Sequence, residues 1–162
     1  MEGIFQWLLG AGRETALFII SMVPLVELRG AVPLGLGLGM PWLEVLAICY
    51  VGNLLPIPFV LLFGAKILKW LEKLPLLSKF SLWYQNKLVS KSAQVTKYAQ
   101  WGLFLFVAIP VPGTGAWSGS VIATLLKMNR GRAFLAIAAG VITAGLIMTL
   151  GSTAVIGALS LL

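Results

Sequence analysis

The chain has 162 residues, enough for one domain, of which 59% are hydrophobic and 10% charged, with a formal net charge of +7. Soluble domains carry about 25% charged residues, so this composition excludes an ordinary water-facing surface. A single cysteine, Cys49, excludes an intramolecular disulfide, and the lack of His and Asp excludes histidine metal sites, His-dependent triads and Asp-held magnesium.

Residues 1–13 read as a short amphipathic start with Trp7 as an interfacial anchor. Its first residues carry no basic n-region, so no secretory signal peptide is expected. Residues 14–24 are apolar and helix-compatible and stop at Pro24. The stretch from Pro24 to Pro33 is expected to be irregular, because Pro33 lacks an N–H and disfavours the helical conformation at Val32. The Pro-Leu-Gly-Leu-Gly-Leu-Gly run at 33–39 is too short to cross a bilayer alone, and Gly35, Gly37 and Gly39 are expected to permit tight packing. We therefore read 14–40 as a re-entrant helical hairpin. Residues 42–65 then cross fully, opened by Pro41 and Trp42 and bent at Pro56 and Pro58.

The linker 66–98 is basic. Ile67, Leu68, Leu71 and Leu74 share one helical face, and Trp70, Trp83 and Tyr84 are interleaved, the pattern of an interfacial segment. Residues 99–109 are apolar for about half a crossing. The run from Pro110 through Gly113, Thr114 and Gly115 to Trp117, Ser118 and Gly119 interrupts them. A short segment at 120–126 leads into a basic turn containing Lys127, Arg130 and Arg132, and residues 133–160 form the last crossing. Residues 45–65, 98–126 and 133–162 carry no charge, and about 20 apolar residues span a bilayer core as a helix.

The expected fold class is therefore an all-α polytopic membrane protein forming one domain over 1–162. Repeat one covers 14–65 and repeat two 99–160, each a re-entrant hairpin followed by a full transmembrane helix. A shift of 88 residues brings Pro24 onto Pro112 and Gly52 onto Gly140. Ten of the twelve bases lie in the linker and the 127–132 turn, flanking hydrophobic spans as the positive-inside rule requires. That placement argues against nucleic-acid binding, puts the linker in the cytoplasm, and gives the halves opposite orientation in a cytoplasmic (inner or plasma) membrane. The alternative is that each hairpin is a full pair of short transmembrane helices.

Unwound backbone at membrane depth is tolerated only inside protein or beside a polar cavity, so both interruptions should meet near the midplane, where discontinuous-helix transporters bind substrate. Glu27 and Arg29 lie in the first, and ionisable groups at that depth usually carry function. On a helix two residues apart they would point in different directions; in a loop they could pair and pin it. Half-helices starting near Pro33 and Ala116 would turn their N-terminal N–H groups inward as anion sites. Gly113 and Gly115 let backbone approach a ligand, and Thr114 and Ser118 can cap the half-helix or donate to an oxyanion. Trp117 is a candidate to line a substrate path or to pack.

Glu27 is the candidate to carry a coupling proton. Burial favours its neutral form and Arg29 its charged form, so its protonation state stays open. Glu44 reads as interfacial, Asn53 as a hydrogen bond or packing element between helices, and Cys49 as a small hydrophobe. No enzyme is expected, because nucleophile–base pairs and cofactor motifs are lacking.

The segments Glu27-Leu28-Arg29-Gly30-Ala31-Val32-Pro33-Leu34-Gly35 and Pro110-Val111-Pro112-Gly113-Thr114-Gly115-Ala116-Trp117 resemble the signatures of the small multidrug export proteins. The resemblance covers nearly the whole chain. That family is similar in plan to the DedA and VTT-domain membrane proteins, some of which are implicated in flipping polyprenyl-phosphate carriers or scrambling phospholipids. The resemblance implies two re-entrant hairpins with Glu27 and Arg29 at the centre. It departs at the second hairpin, which carries arginines in DedA-type proteins and no charge here.

The expected function is translocation of an anionic amphiphile such as a polyprenyl phosphate or phospholipid, with protons as coupling ions. Export of lipophilic cations and a non-transporting scaffold are the alternatives. Membrane lipids are the expected partners, and shielding broken hairpins from lipid favours a homodimer.

Overall fold

A computed structural model of the chain describes residues 12–24, 26–71, 92–111 and 113–159. Among these the secondary structure is entirely helical: α1 (Arg13–Met22), α2 (Glu27–Gly37), α3 (Trp42–Leu54), α4 (Ile57–Leu71), α5 (Ser92–Ala108), α6 (Ala116–Leu125) and α7 (Arg130–Leu159). Helices α3 and α4 follow one another across a turn at Leu55 and Pro56 and together provide an apolar stretch from Trp42 to Gly64; α7 provides a second from Arg130 to Ala158. Both are long enough to cross a bilayer core of about 30 Å.

Two facts argue that these helices are not the core helices of a soluble protein. More than half of each stretch is unburied. Its uncovered side chains are large and apolar: Leu43, Val51, Phe59, Leu62 and Phe63 on one, Leu135, Leu146, Leu150 and Val155 on the other. Apolar surface on that scale, continuous along a helix, is matched by lipid and not by water.

The elements pack in a recurring pattern. α1 lies against α2 and α3, and α5 lies against α6 and α7. Across the halves, α2 packs on α7 and α6 packs on α4. Two glycines let backbones approach closely within the halves. A Cβ on Gly52 would stand 2.8 Å from the Phe18 carbonyl oxygen, and one on Gly140 would stand 2.9 Å from the Phe104 carbonyl oxygen and 2.7 Å from Val107 Cβ. Only glycine allows backbone to pass that near. Leu17, Leu28, Val32, Val45, Ile57, Val107, Ile137 and Val141 fill the space between, joined by Cys49.

The structure corrects several expectations. The first interruption is confined to 23–26, and α2 is helical from Glu27 straight through Pro33. Proline removes one helical N–H, but Leu28, Ala31, Val32 and Gly35 are all buried against neighbouring helices, and that packing outweighs the lost bond. The half-helix therefore begins at Glu27 and not near Pro33. The second interruption is likewise shorter, because Ala116 to Gly119 are already helical. Of the three glycines after Pro33, only Gly35 packs closely, on Val45 and Leu17; nothing lies within 4 Å of a Cβ placed on Gly37 or Gly39. Gly39 instead serves a turn at φ 76°. Glu44 is exposed, as expected of an interfacial residue. The readings of Trp7 and of residues 72–91 fall outside the described residues.

Candidate functional site

The two interruptions meet, and Glu27, Arg29, Gly113, Thr114, Gly115, Trp117 and Ser118 lie at their junction. Glu27 and Arg29 come from the first. Arg29 Nη1 donates to Glu27 Oε2 at 3.0 Å. The pair forms although Arg29 is helical, because Glu27 adopts a left-handed φ of 51°. Such a conformation is strained for a residue with a Cβ, and here it redirects the carboxylate out of its own helix.

That carboxylate ends on α6. Ala116 N–H donates to Oε2 at 3.1 Å and Trp117 N–H donates to Oε1 at 3.2 Å. These are the first two residues of α6, whose N-terminal N–H groups have no partners within the helix. Glu27 therefore caps a helix 89 residues away, placing a negative charge at the positive end of its dipole. Gly115 makes the approach feasible: a Cβ there would occupy the place of the Glu27 carboxylate.

Arg29 does the converse at α5. Its Nη2 lies 3.0 Å from the Val107 carbonyl oxygen and 3.2 Å from that of Ile109, at the C-terminal end of α5, and 3.0 Å from the Thr114 carbonyl oxygen. Thr114 Oγ1 is a further acceptor at 3.2 Å. Carbonyls left over at a helix C-terminus attract cations. The interruption without charges of its own thus has each of its two helix ends matched by the opposite charge from the other interruption.

The exchange is reciprocal. Trp117 Nε1 donates to the carbonyl of Met22, the last residue of α1, at 3.1 Å. Thr114 does not cap α6; its hydroxyl lies 2.8 Å from the carbonyls of both Ile109 and Val111 and closes the turn that Gly113 enters at φ 86°. Ser118 does not cap it either, and lines a cavity with Pro24, Val26, Glu27, Arg29, Gly113 and Gly115. This cavity of about 10 Å³ is near the smallest that holds one water molecule.

Two buried groups at the junction have unmet hydrogen-bonding capacity. Arg29 Nε has no acceptor, and neither polar atom of the Asn53 side chain has a partner. Asn53 is fully buried and sits beside the Glu27 carboxylate without a hydrogen bond of good geometry. The sequence leaves Asn53 as a hydrogen bond or packing element between helices, and its lone amide in an apolar helix is the signal of something more. The carbonyls of Met22, Val107 and Ile109 carried no signal, since backbone acceptors look alike in a sequence.

The sequence matches the family described as "Putative small multi-drug export protein" over residues 27–147. The match covers most of the chain, from Glu27 through the second interruption and into α7, and the chain belongs to that family. No curated protein and no solved structure matches it significantly.

Proposed function

We propose that this member of the small multi-drug export family is a membrane transporter of an anionic amphiphile, most concretely a phosphate-bearing lipid, and that the cargo anion competes with Glu27 for one set of donors. A single observation carries the reading. Arg29 and the N–H groups of Ala116 and Trp117 converge on one carboxylate, and a guanidinium beside a helix N-terminus is an oxyanion-binding set. In this structure the protein's own carboxylate occupies it, and the cavity alongside is too small for a headgroup. Transport then requires Glu27 to leave.

A proton is the natural agent of that step. A neutral carboxyl loses most of its attraction for a guanidinium and a helix dipole. The unpaired Asn53 amide offers the displaced carboxyl a buried partner. Arg29, Ala116 and Trp117 would then hold the headgroup, with Gly113, Thr114, Gly115 and Ser118 around it.

The same reading takes the halves as inverted repeats with re-entrant hairpins. α1, α2 and α6 have 10, 11 and 10 residues, about 15 Å each, or half a bilayer core. Gly52 and Gly140, 88 residues apart, seat on the carbonyls of Phe18 and Phe104, 86 residues apart. Labelling of single cysteines from each side of the membrane tests this: positions 39 and 128 should be reached from opposite sides, and labelling from one side would contradict opposite orientation.

The family's description speaks of multi-drug export, and export of lipophilic cations is the alternative reading. That mechanism needs a carboxylate open to cargo, whereas Glu27 is 3% exposed and held by three donors. Proteoliposomes decide between the two. Wild-type protein should translocate a polyprenyl phosphate, lose the activity in Arg29→Ala, and in Glu27→Gln, whose side chain is neutral at every pH, keep the activity but lose its dependence on pH. Movement of a lipophilic cation that survives Arg29→Ala and fails in Glu27→Gln would establish the cationic cargo.

A further inference from the structure

The C-terminal end of α6, opposite the end that Glu27 caps, borders a second cavity. About 240 Å³ opens between Leu61 of α4, Ala123 and Thr124 of α6, and Lys127, Met128 and Arg130 of the turn into α7. Its inner wall is apolar: Leu61 and Ala123 are buried. Its charged residues are both cations, and neither the Lys127 nor the Arg130 side chain has an acidic or hydrogen-bonding partner among the described residues. The Thr124 hydroxyl is already donated to the Ser120 carbonyl at 2.8 Å. The Gly131 and Arg132 N–H groups at the start of α7 are likewise taken, by Asn129 Oδ1 at 3.0 and 3.2 Å. An anion in this cavity would therefore be held by the two side chains and not by a helix end.

The backbone at Lys127 is a second, independent observation. α6 ends with Lys127 N–H donating to the Thr124 carbonyl at 3.1 Å and Met128 N–H donating to that of Ala123 at 3.0 Å. In such an ending the residue between is left-handed and is usually glycine. Here it is Lys127 at φ 50°, strained where glycine would be relaxed. A lysine standing where glycine would be relaxed is consistent with a use for its charge.

We propose that this cavity binds the phosphate of an anionic membrane lipid, with Lys127 and Arg130 on the charge and Leu61 and Met128 against the start of the chains. Its volume is below the range of about 300–1,000 Å³ for sites that enclose a drug-sized ligand, which suits a headgroup whose chains remain outside. Leu62, Phe63 and Val121, on the two helices that form the wall, are exposed apolar side chains on which those chains can lie. Basic pockets between membrane helices near the headgroup layer recognise anionic lipids. Binding here does not depend on what the central junction carries.

Native mass spectrometry of the full chain in detergent tests the proposal, with phosphatidylglycerol and phosphatidylcholine as probes. Wild-type protein should retain phosphatidylglycerol preferentially, and Lys127→Gly combined with Arg130→Gln should weaken that retention about tenfold or more. Lys127→Gly alone relieves the strained backbone, so it should melt no lower than wild type and still bind several-fold more weakly. Equal retention of phosphatidylglycerol by wild type and the double variant would overturn the proposal. So would equal retention of the two lipids, or protection against melting by inorganic phosphate as strong as that by phosphatidylglycerol, which would indicate a site for the free anion.

Discussion

The two interruptions differ in kind. The first, at 23–26, leads into Glu27 and Arg29; the second, at 109–115, has no ionisable side chain. The structure shows this inequality to be a division of labour. An interrupted helix exposes carbonyls on one side of the break and N–H groups on the other, and in a membrane neither can turn to water. The second break receives a guanidinium at its carbonyl end and a carboxylate at its N–H end, both from the first. Trp117 answers at the end of α1. Each break is thus completed by the other, so each should fail without the other.

The largest expected effect is at Arg29. Arg29→Ala would leave Glu27 charged and buried and strand the carbonyls of Val107, Ile109 and Thr114. Removing one partner of a buried pair costs about 3–5 kcal/mol, so the detergent-solubilised variant should show a marked fall in Tm. A Tm within a degree of wild type would show that the second break does not depend on the first. Gly115→Ala tests the same dependence without removing a charge. Its Cβ would displace the Glu27 carboxylate, and a loss of about 2–4 kcal/mol is expected in denaturant titration.

Smaller effects compare the halves directly. Gly52→Ala and Gly140→Ala insert a methyl against the carbonyls of Phe18 and Phe104, so each should destabilise by about 1–3 kcal/mol, and under the proposed repeat the two losses should be similar. A large effect at one position and none at the other would argue against equivalent packing. Asn53→Leu replaces two unpartnered polar atoms with apolar ones, which should leave stability unchanged or raise it by about 1 kcal/mol while lowering transport. Unaltered transport would remove Asn53 from the mechanism. Gly37→Ala, with open space around it, should stay within about 0.5 kcal/mol of wild type.

Much of the layout was legible in the sequence. The apolar segments stop at Pro24 and Pro110 and resume after Pro41, close to helix ends, and Glu27 and Arg29 mark the centre. α6 starts at Ala116, as the Gly-Thr-Gly turn suggested. Pro33 misled because local rules weigh one lost hydrogen bond, whereas the burial of α2 on three helices is decided at long range. The pairing of Glu27 with Arg29 depended on a left-handed residue that no neighbouring glycine announced. The capping of α6 was hidden for a related reason: Thr114 and Ser118 are the local residues that usually cap, and Glu27 reaches there only through tertiary folding. The cavity beside Lys127 was masked by the charge pattern, which reads the same whether a base marks the membrane surface or lines a cavity.

Arg29→Lys offers the most direct measurement of the central claim that one donor set serves Glu27 and the cargo anion in turn. Lysine keeps the positive charge next to Glu27 but cannot supply the planar fork that reaches a carboxylate and carbonyls together. In proteoliposomes of matched protein content, translocation of a polyprenyl phosphate by this variant should fall by about tenfold or more, with protein still folded by its melting curve. Wild-type rates from a folded Arg29→Lys variant would contradict the account.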